Sequence, residues 1–205
     1  MKLLAISKAG STSVNREIYS ILYKKYDYRI TLIIPKYLAI GNKRINSDPF
    51  DDLPYEVIAL TMLGSDRLSR YKGIFKVLRY SEADIIYFED DPMTLLATSL
   101  GIWCKWNNKK FVCRTNQNRP LTIASEISRL GLLKGLLSVT IKLFLLQISK
   151  RLMDHLFTIS NDGIQIFTQL RLTNLTKIPL GFNEDRFRID DKQRKLCRSS
   201  LNLNG

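Results

Sequence analysis

The sequence predicts an α/β fold: one doubly wound parallel sheet with helices on both faces. Three observations carry this. Short, almost wholly apolar runs, such as residues 2–7 and 85–88, read as strands buried on both sides. Between them lie stretches with apolar residues at helical spacing, and such alternation along a chain favours parallel pairing. A chain of 205 residues, 45% hydrophobic and 25% charged, can enclose one core and most simply forms one domain.

The first strand is Lys2–Ser7, followed by a small-residue loop containing Gly10, Ser11, Thr12 and Ser13. Val14–Tyr26 is the first helix, with Val14, Ile18, Ile21 and Leu22 at helical spacing. Doubly wound folds place ligands at this loop, where free amides at a helix start favour an anion or a hydroxyl oxygen, so Gly10, Ser11 and Thr12 are candidate substrate-binding residues. There is no GxGxxG, so the dinucleotide fingerprint is absent. A plain strand-to-helix turn whose serines cap the helix is the structural alternative.

Tyr28–Pro35 is the second strand, residues 36–54 a long polar loop, Glu56–Leu60 the third strand and Ser69–Ser81 a helix. The fourth strand, Asp84–Phe88, runs into Glu89, Asp90, Asp91 and Pro92. Acidic residues at the carboxyl end of a central strand overlook the crevice where such sheets bind ligand. Capping of the helix Met93–Trp106 explains Asp91, which leaves Glu89 and Asp90 as candidate binding residues. Lys110–Thr115, the fifth strand, opens into Asn116, Gln117 and Asn118. Amides donate and accept at once, which suits sugar hydroxyls and makes Asn116 and Asn118 candidates; a turn bonded to its own backbone is the alternative.

Leu130–Ile148 is the most hydrophobic stretch, with Lys134, Ser138 and Lys142 on one helical stripe. Two lysines argue against a membrane-crossing segment. They suit a helix lying in a membrane interface, with Lys134, Leu137 and Lys142 as membrane contacts, and the competing expectation is a helix packed on the sheet or against a partner domain. His155–Ser160 is the sixth strand, and Ser160 is placed to cap the helix Asp162–Leu170. The single histidine, His155, lies at the strand end remote from the crevice, so a catalytic triad or a histidine zinc site cannot be assembled and no metal is expected. Thr176–Leu180 is the last strand.

A net charge of +13 asks for an anionic partner or surface. The basic residues are spread without a basic helix or an RNP-type motif, so nucleic acid is not expected; an anionic membrane surface and a phosphorylated sugar remain, with a merely solvated basic surface as the bland alternative. Cys104, Cys113 and Cys197 form no CxxC pair or disulfide framework, which fits a reduced, cytoplasmic setting, at most at the inner face of the membrane. The apolar run Leu3–Ile6 is too short for a signal peptide.

The segment Thr176–Phe187, through Ile178, Pro179, Gly181, Phe182, Asn183 and Phe187, resembles the one by which two-domain GT-B glycosyltransferases of the retaining, family-4-like (glycosyltransferase group 1) kind leave their N-terminal domain. The resemblance implies that residues 1–188 are a Rossmann-like acceptor-side domain, the N-terminal half of a GT-B fold, with Gly181, Phe182 and Asn183 as the interdomain hinge. Residues 189–205 would be the connector helix and the start of a C-terminal domain that holds the nucleotide-sugar donor. In that family the loop corresponding to Glu89–Pro92 faces the acceptor, and a histidine commonly stands near the position of Asn116. The amide here does not titrate, so no general base is implied at that place. The implied function is transfer of a sugar from a nucleotide sugar to a glycan or lipid-linked acceptor, with no covalently bound cofactor. Because the sequence stops before the donor-binding residues, turnover by this chain alone is expected to be negligible, and a second chain or domain is the expected partner. A non-catalytic membrane-surface scaffold and a truncated remnant are the alternatives.

Overall fold

The structure is a computed structural model describing residues 1–40, 43–64, 66–118, 122–179 and 191–201. In chain order its elements are β1 (Lys2–Ser7), α1 (Glu17–Tyr26), β2 (Arg29–Pro35), β3 (Tyr37–Ile40), β4 (Lys43–Asn46), β5 (Glu56–Leu60), β6 (Met62–Leu63), β7 (Arg70–Tyr71), α2 (Ile74–Tyr80), β8 (Ile85–Glu89), α3 (Leu95–Trp106), β9 (Lys110–Thr115), α4 (Ile123–Leu130), α5 (Leu132–Leu152), β10 (His155–Thr158), α6 (Asn161–Gln169), β11 (Leu175–Lys177) and α7 (Asp191–Ser200).

Seven strands form one sheet in the order β11-β10-β9-β8-β1-β2-β5, every pair parallel. They are the seven strands expected from the apolar runs. Strand order reverses direction between β1 and β8, so the chain winds outward both ways from that seam, which is where doubly wound sheets open a crevice. The two faces are covered unequally. Leu4, Ile6, Ile33, Ile86, Phe88 and Phe111 pack with α2, α3, α5 and α6 on one side, while α1 brings Tyr19 against Leu3, Ala5, Ile30, Leu32 and Ile34 on the other. Burying such side chains contributes about 1.5–3 kcal/mol each.

Several local expectations are corrected. Within the loop 36–54, β3 and β4 pair as an antiparallel hairpin. The helix expected over 69–81 begins only at Ile74, because Arg70–Tyr71 pairs with Met62–Leu63 and Gly73 takes a left-handed φ of 82°. Thr94, not Asp91, caps α3, accepting the Ala97 N–H at 3.1 Å. Asp91 is unavailable because Arg67 and the Thr115 hydroxyl occupy its carboxylate.

The apolar stretch at 130–148 is the largest departure. Gly131, at φ 83°, separates α4 from α5, and the two helices pack so closely that a Cβ on Gly135 would lie 2.7 Å from the backbone of Ile127. Lys142 does not face outward; it is 3% exposed and ion-pairs with Glu126 at 2.7 Å, because α4, invisible in the stripe of α5 alone, folds over it. By length and composition α5 could cross a membrane, with mean hydropathy 1.6, yet it packs on α3, where the hydroxyls of Thr98 and Ser149 meet at 2.9 Å. The other expected membrane contacts, Lys134 and Leu137, are exposed.

Candidate functional site

The carboxyl edge of the sheet around the β1–β8 seam is organised by one row of side chains. Parallel register sets Ser7 beside Glu89 and Glu89 beside Arg114, so three neighbouring strands present these residues in line on one face. The Ser7 hydroxyl donates to Glu89 Oε2, Arg114 Nη1 donates to Glu89 Oε1 at 2.7 Å, and the Tyr87 hydroxyl donates to the same oxygen at 3.4 Å. Ser7 Oγ in turn accepts the Gly10 N–H at 2.9 Å. One carboxylate thus fastens the loop after β1 to the ends of β8 and β9. Burial, and then the Glu89 charge, push the phenols of Tyr19 and Tyr87 well above their usual range, so both stay neutral.

Each residue of the acidic run has its own cation. Arg114 serves Glu89, Lys8 lies 2.5 Å from Asp90, and Arg67 pairs with Asp91. Each carboxylate thereby ties its strand end to a neighbouring element. Thr115 joins Asp91 to the start of the next loop by donating to it and accepting the Gln117 N–H at 3.1 Å.

The Gly10 loop differs from the open amide cradle expected for it. The N–H groups of Ser11 and Thr12 donate to Lys8 and Ala9 carbonyls at 3.2 Å, and that of Ser13 donates to Asp48 at 2.6 Å, so these amides are already engaged. The Asp48 carboxyl is held below its usual range mainly by that bond. Arg16 closes the arrangement from beneath. Its guanidinium, 2% exposed, donates to the carbonyls of Gly10, Asp48 and Pro49 at 2.7–2.8 Å and of Ser11 at 3.3 Å. A Cβ on Gly10 would approach Ile34 to 3.1 Å, so the loop sits tightly on β2.

Of the residues singled out from sequence, Gly10 and Ser11 are buried, Glu89 and Asp90 are half-buried within ion pairs, and Thr12, Asn116 and Asn118 are exposed at the rim. The structure brings the loops that carry them to one edge; Gly163, at the start of α6, packs against the Gln117 carbonyl and brings the Ser160 turn beside them. The expected hinge at Gly181, Phe182 and Asn183 lies outside the described residues. Sequence reasoning missed Ser7, Lys8, Arg16, Arg67 and Arg114. Arg114 carried a signal, since a charged residue inside an apolar strand needs a partner. Among the described residues no group of three His, Cys, Asp or Glu is placed to hold a metal ion.

No family model and no curated protein matches the chain. Solved structures do. A sucrose-phosphate synthase from Thermosynechococcus elongatus superimposes with a TM-score of 0.54 at 11% identity, covering 98% of this chain and 99% of that one. A protein described as a UDP-N-acetylglucosamine 2-epimerase, from Listeria monocytogenes, gives a TM-score of 0.50 at 11% identity over 85% of this chain, which spans only 43% of the epimerase. A UDP-glucosyltransferase from Polygonum tinctorium gives 0.49 at 10% identity, covering 96% of this chain and 56% of that one. The fold is a Rossmann-like layer of the kind the sucrose-phosphate synthase structure contains.

Proposed function

We propose that this chain is the acceptor-side half of a glycosyltransferase, retaining and family-4-like, moving a sugar from a nucleotide sugar to a glycan or lipid-linked acceptor, with the donor held by a further domain or a second chain. The observation that supports it is the Ser7–Glu89–Arg114 row at the reversal of strand order. That row ties the loops bearing Gly10, Asp90 and Asn116 into one rim whose exposed groups, Thr12, Asn116 and Asn118, are hydroxyl and amide. The two amides both donate and accept, and the Thr12 hydroxyl, whose hydrogen goes to the Ala9 carbonyl at 3.1 Å, adds an acceptor; this matches a polyol.

In this reading Thr12, Asn116 and Asn118 orient the acceptor, while Glu89, Asp90 and Asp91 fix the rim. The acceptor oxygen forms the new bond to the anomeric carbon as the bond to the nucleotide diphosphate breaks, and the hydroxyl proton leaves with the diphosphate. Stabilising that leaving group falls to the donor side.

Amide chemical shifts test this with methyl glucoside, maltose and UDP as probes. A saccharide is expected to shift Thr12, Asn116 and Asn118, UDP to leave them unchanged, and UDP-glucose to be consumed by this chain alone at no more than its spontaneous rate. Saccharide shifts confined to other edges would overturn the acceptor assignment. Turnover of UDP-glucose by the isolated chain would overturn the need for a donor-side partner.

A second reading, a non-catalytic membrane-surface scaffold, is favoured by one observation: Leu133, Leu137 and Phe144 form an exposed stripe on α5, at 81%, 61% and 63% exposure. It requires flotation with anionic liposomes that is lost in Leu133→Asp/Leu137→Asp, together with no saccharide response.

A further inference from the structure

The sheet's other edge, where β9, β10 and β11 begin, carries a feature unrelated to the acceptor rim. Two concavities of about 340 and 180 Å³ open there and share Arg151 and Met153, forming one trough. Lys105, Lys109 and Lys110 line it from the α3–β9 connection, Lys150 and Arg151 from the end of α5, and Arg171 from the α6–β11 turn. Asp154 is the single acidic residue among the lining, so six cations against one carboxylate leave five positive charges in excess.

Asp154 is also already engaged, accepting from Lys110 Nζ at 2.9 Å and from the Phe111 N–H at 2.8 Å. Lys105, Lys109, Lys150, Arg151 and Arg171 make no ion pair within 4 Å among the described residues, Lys109 only feeling the Glu82 charge from farther off. The same edge at β1 and β8 is different, for there Lys2 pairs with Glu82 and its N–H donates to Asp84. Cations in the last turns of α3 and α5 offset the carbonyl ends of those helices, which accounts for Lys105, Lys150 and Arg151. It does not account for Lys109 or Arg171, which lie in turns. Arg171 even takes a left-handed φ of 61°, where Gly or Asn fits at lower cost.

We propose that this trough is a binding site for a phosphate-bearing anion. Arginine forks match phosphate oxygens in pairs and lysines add point charge, while a trough with five uncompensated cations favours a ligand carrying two or more negative charges. Such a group can belong to a phospholipid head group or to a soluble phosphorylated molecule. Trp106, 82% exposed beside Lys105 at the end of α3, supplies an interfacial aromatic in the first case.

The test uses the full chain with two probes: sodium pyrophosphate, followed by amide shifts, and phosphatidylcholine vesicles with or without one-third phosphatidylglycerol, followed by co-sedimentation. Lys109→Gln/Arg151→Gln/Arg171→Asn is expected to weaken binding about tenfold or more. The equally charge-reduced Lys24→Gln/Lys25→Gln/Lys76→Gln, on α1 and α2, is expected to bind as the parent does. Pyrophosphate binding without vesicle binding assigns a soluble ligand, and binding of phosphatidylglycerol vesicles alone assigns a head group. Absence of binding to both probes, or equal loss in the two triple variants, overturns the proposal. Should the trough triple melt early, Lys109→Glu alone gives the same comparison.

Discussion

Glu126 and Lys142 meet at 2.7 Å between α4 and α5, with their side chains only 11% and 4% exposed. Ser138 donates to the same carboxylate oxygen at 2.9 Å and Arg129 at 3.0 Å. The pair therefore fixes how α4 lies on α5.

Removing Lys142 leaves Glu126 with Arg129 and Ser138 as its remaining partners and takes away its most deeply placed one. Because Arg129 and Ser138 still serve Glu126, Lys142→Met is expected to destabilise the chain by about 1–2 kcal/mol in urea denaturation. Lys134→Met, on the exposed part of the same helix, should change it by less than about 0.5 kcal/mol. A double variant, Glu126→Leu/Lys142→Met, is expected to recover most of the loss.

The pair also sets an acid limit. Burial alone would raise the Glu126 pKa, but hydrogen bonds from Lys142 and Ser138 outweigh it and hold the group at about 2, below its ordinary 4.5. A carboxyl with a depressed folded-state pKa contributes stability that is full above its unfolded value and lost as pH falls toward the folded one. Melting temperature should fall between about pH 4.5 and pH 2 through this group, and Glu126→Gln should flatten that part of the profile.

At the carboxyl edge of the sheet, Ser7→Ala removes the partner of the buried Gly10 N–H and one donor to Glu89. A loss of about 1–3 kcal/mol is expected, with the Gly10 amide resonance displaced while those of the basic trough stay in place.

The thiols give a direct check on burial. Burial, helped by Asp154, pushes Cys104 up to about 12, and burial with the Asp90 charge also pushes Cys113 well above the ordinary thiol range, whereas Cys197 is exposed on α7. Native protein should react with one equivalent of a thiol reagent at neutral pH and three after unfolding. Two fast-reacting thiols in the native state would contradict the packing of β9 against α3.

The seven sheet strands were legible because a strand buried on both sides leaves a run of apolar residues that needs no knowledge of its neighbours. Register was not. Nothing local to Ser7, Glu89 or Arg114 says that the three stand side by side, although Arg114 within Lys110–Thr115 is a charge that a buried strand tolerates only with a partner. Lys142 was misplaced for a related reason: the periodicity of one helix describes its own face, and the helix that covers that face comes earlier in the chain. The β3–β4 hairpin was hidden because β4 is exposed at all four residues and shows no alternation to mark it as a strand.

Arg16 has a consequence for how a ligand would meet the rim. Its guanidinium bolts two separate loops to a common post through four carbonyls. That wall is preorganised during folding, so an arriving molecule need not freeze it, and its affinity escapes the ordering penalty that mobile loops impose.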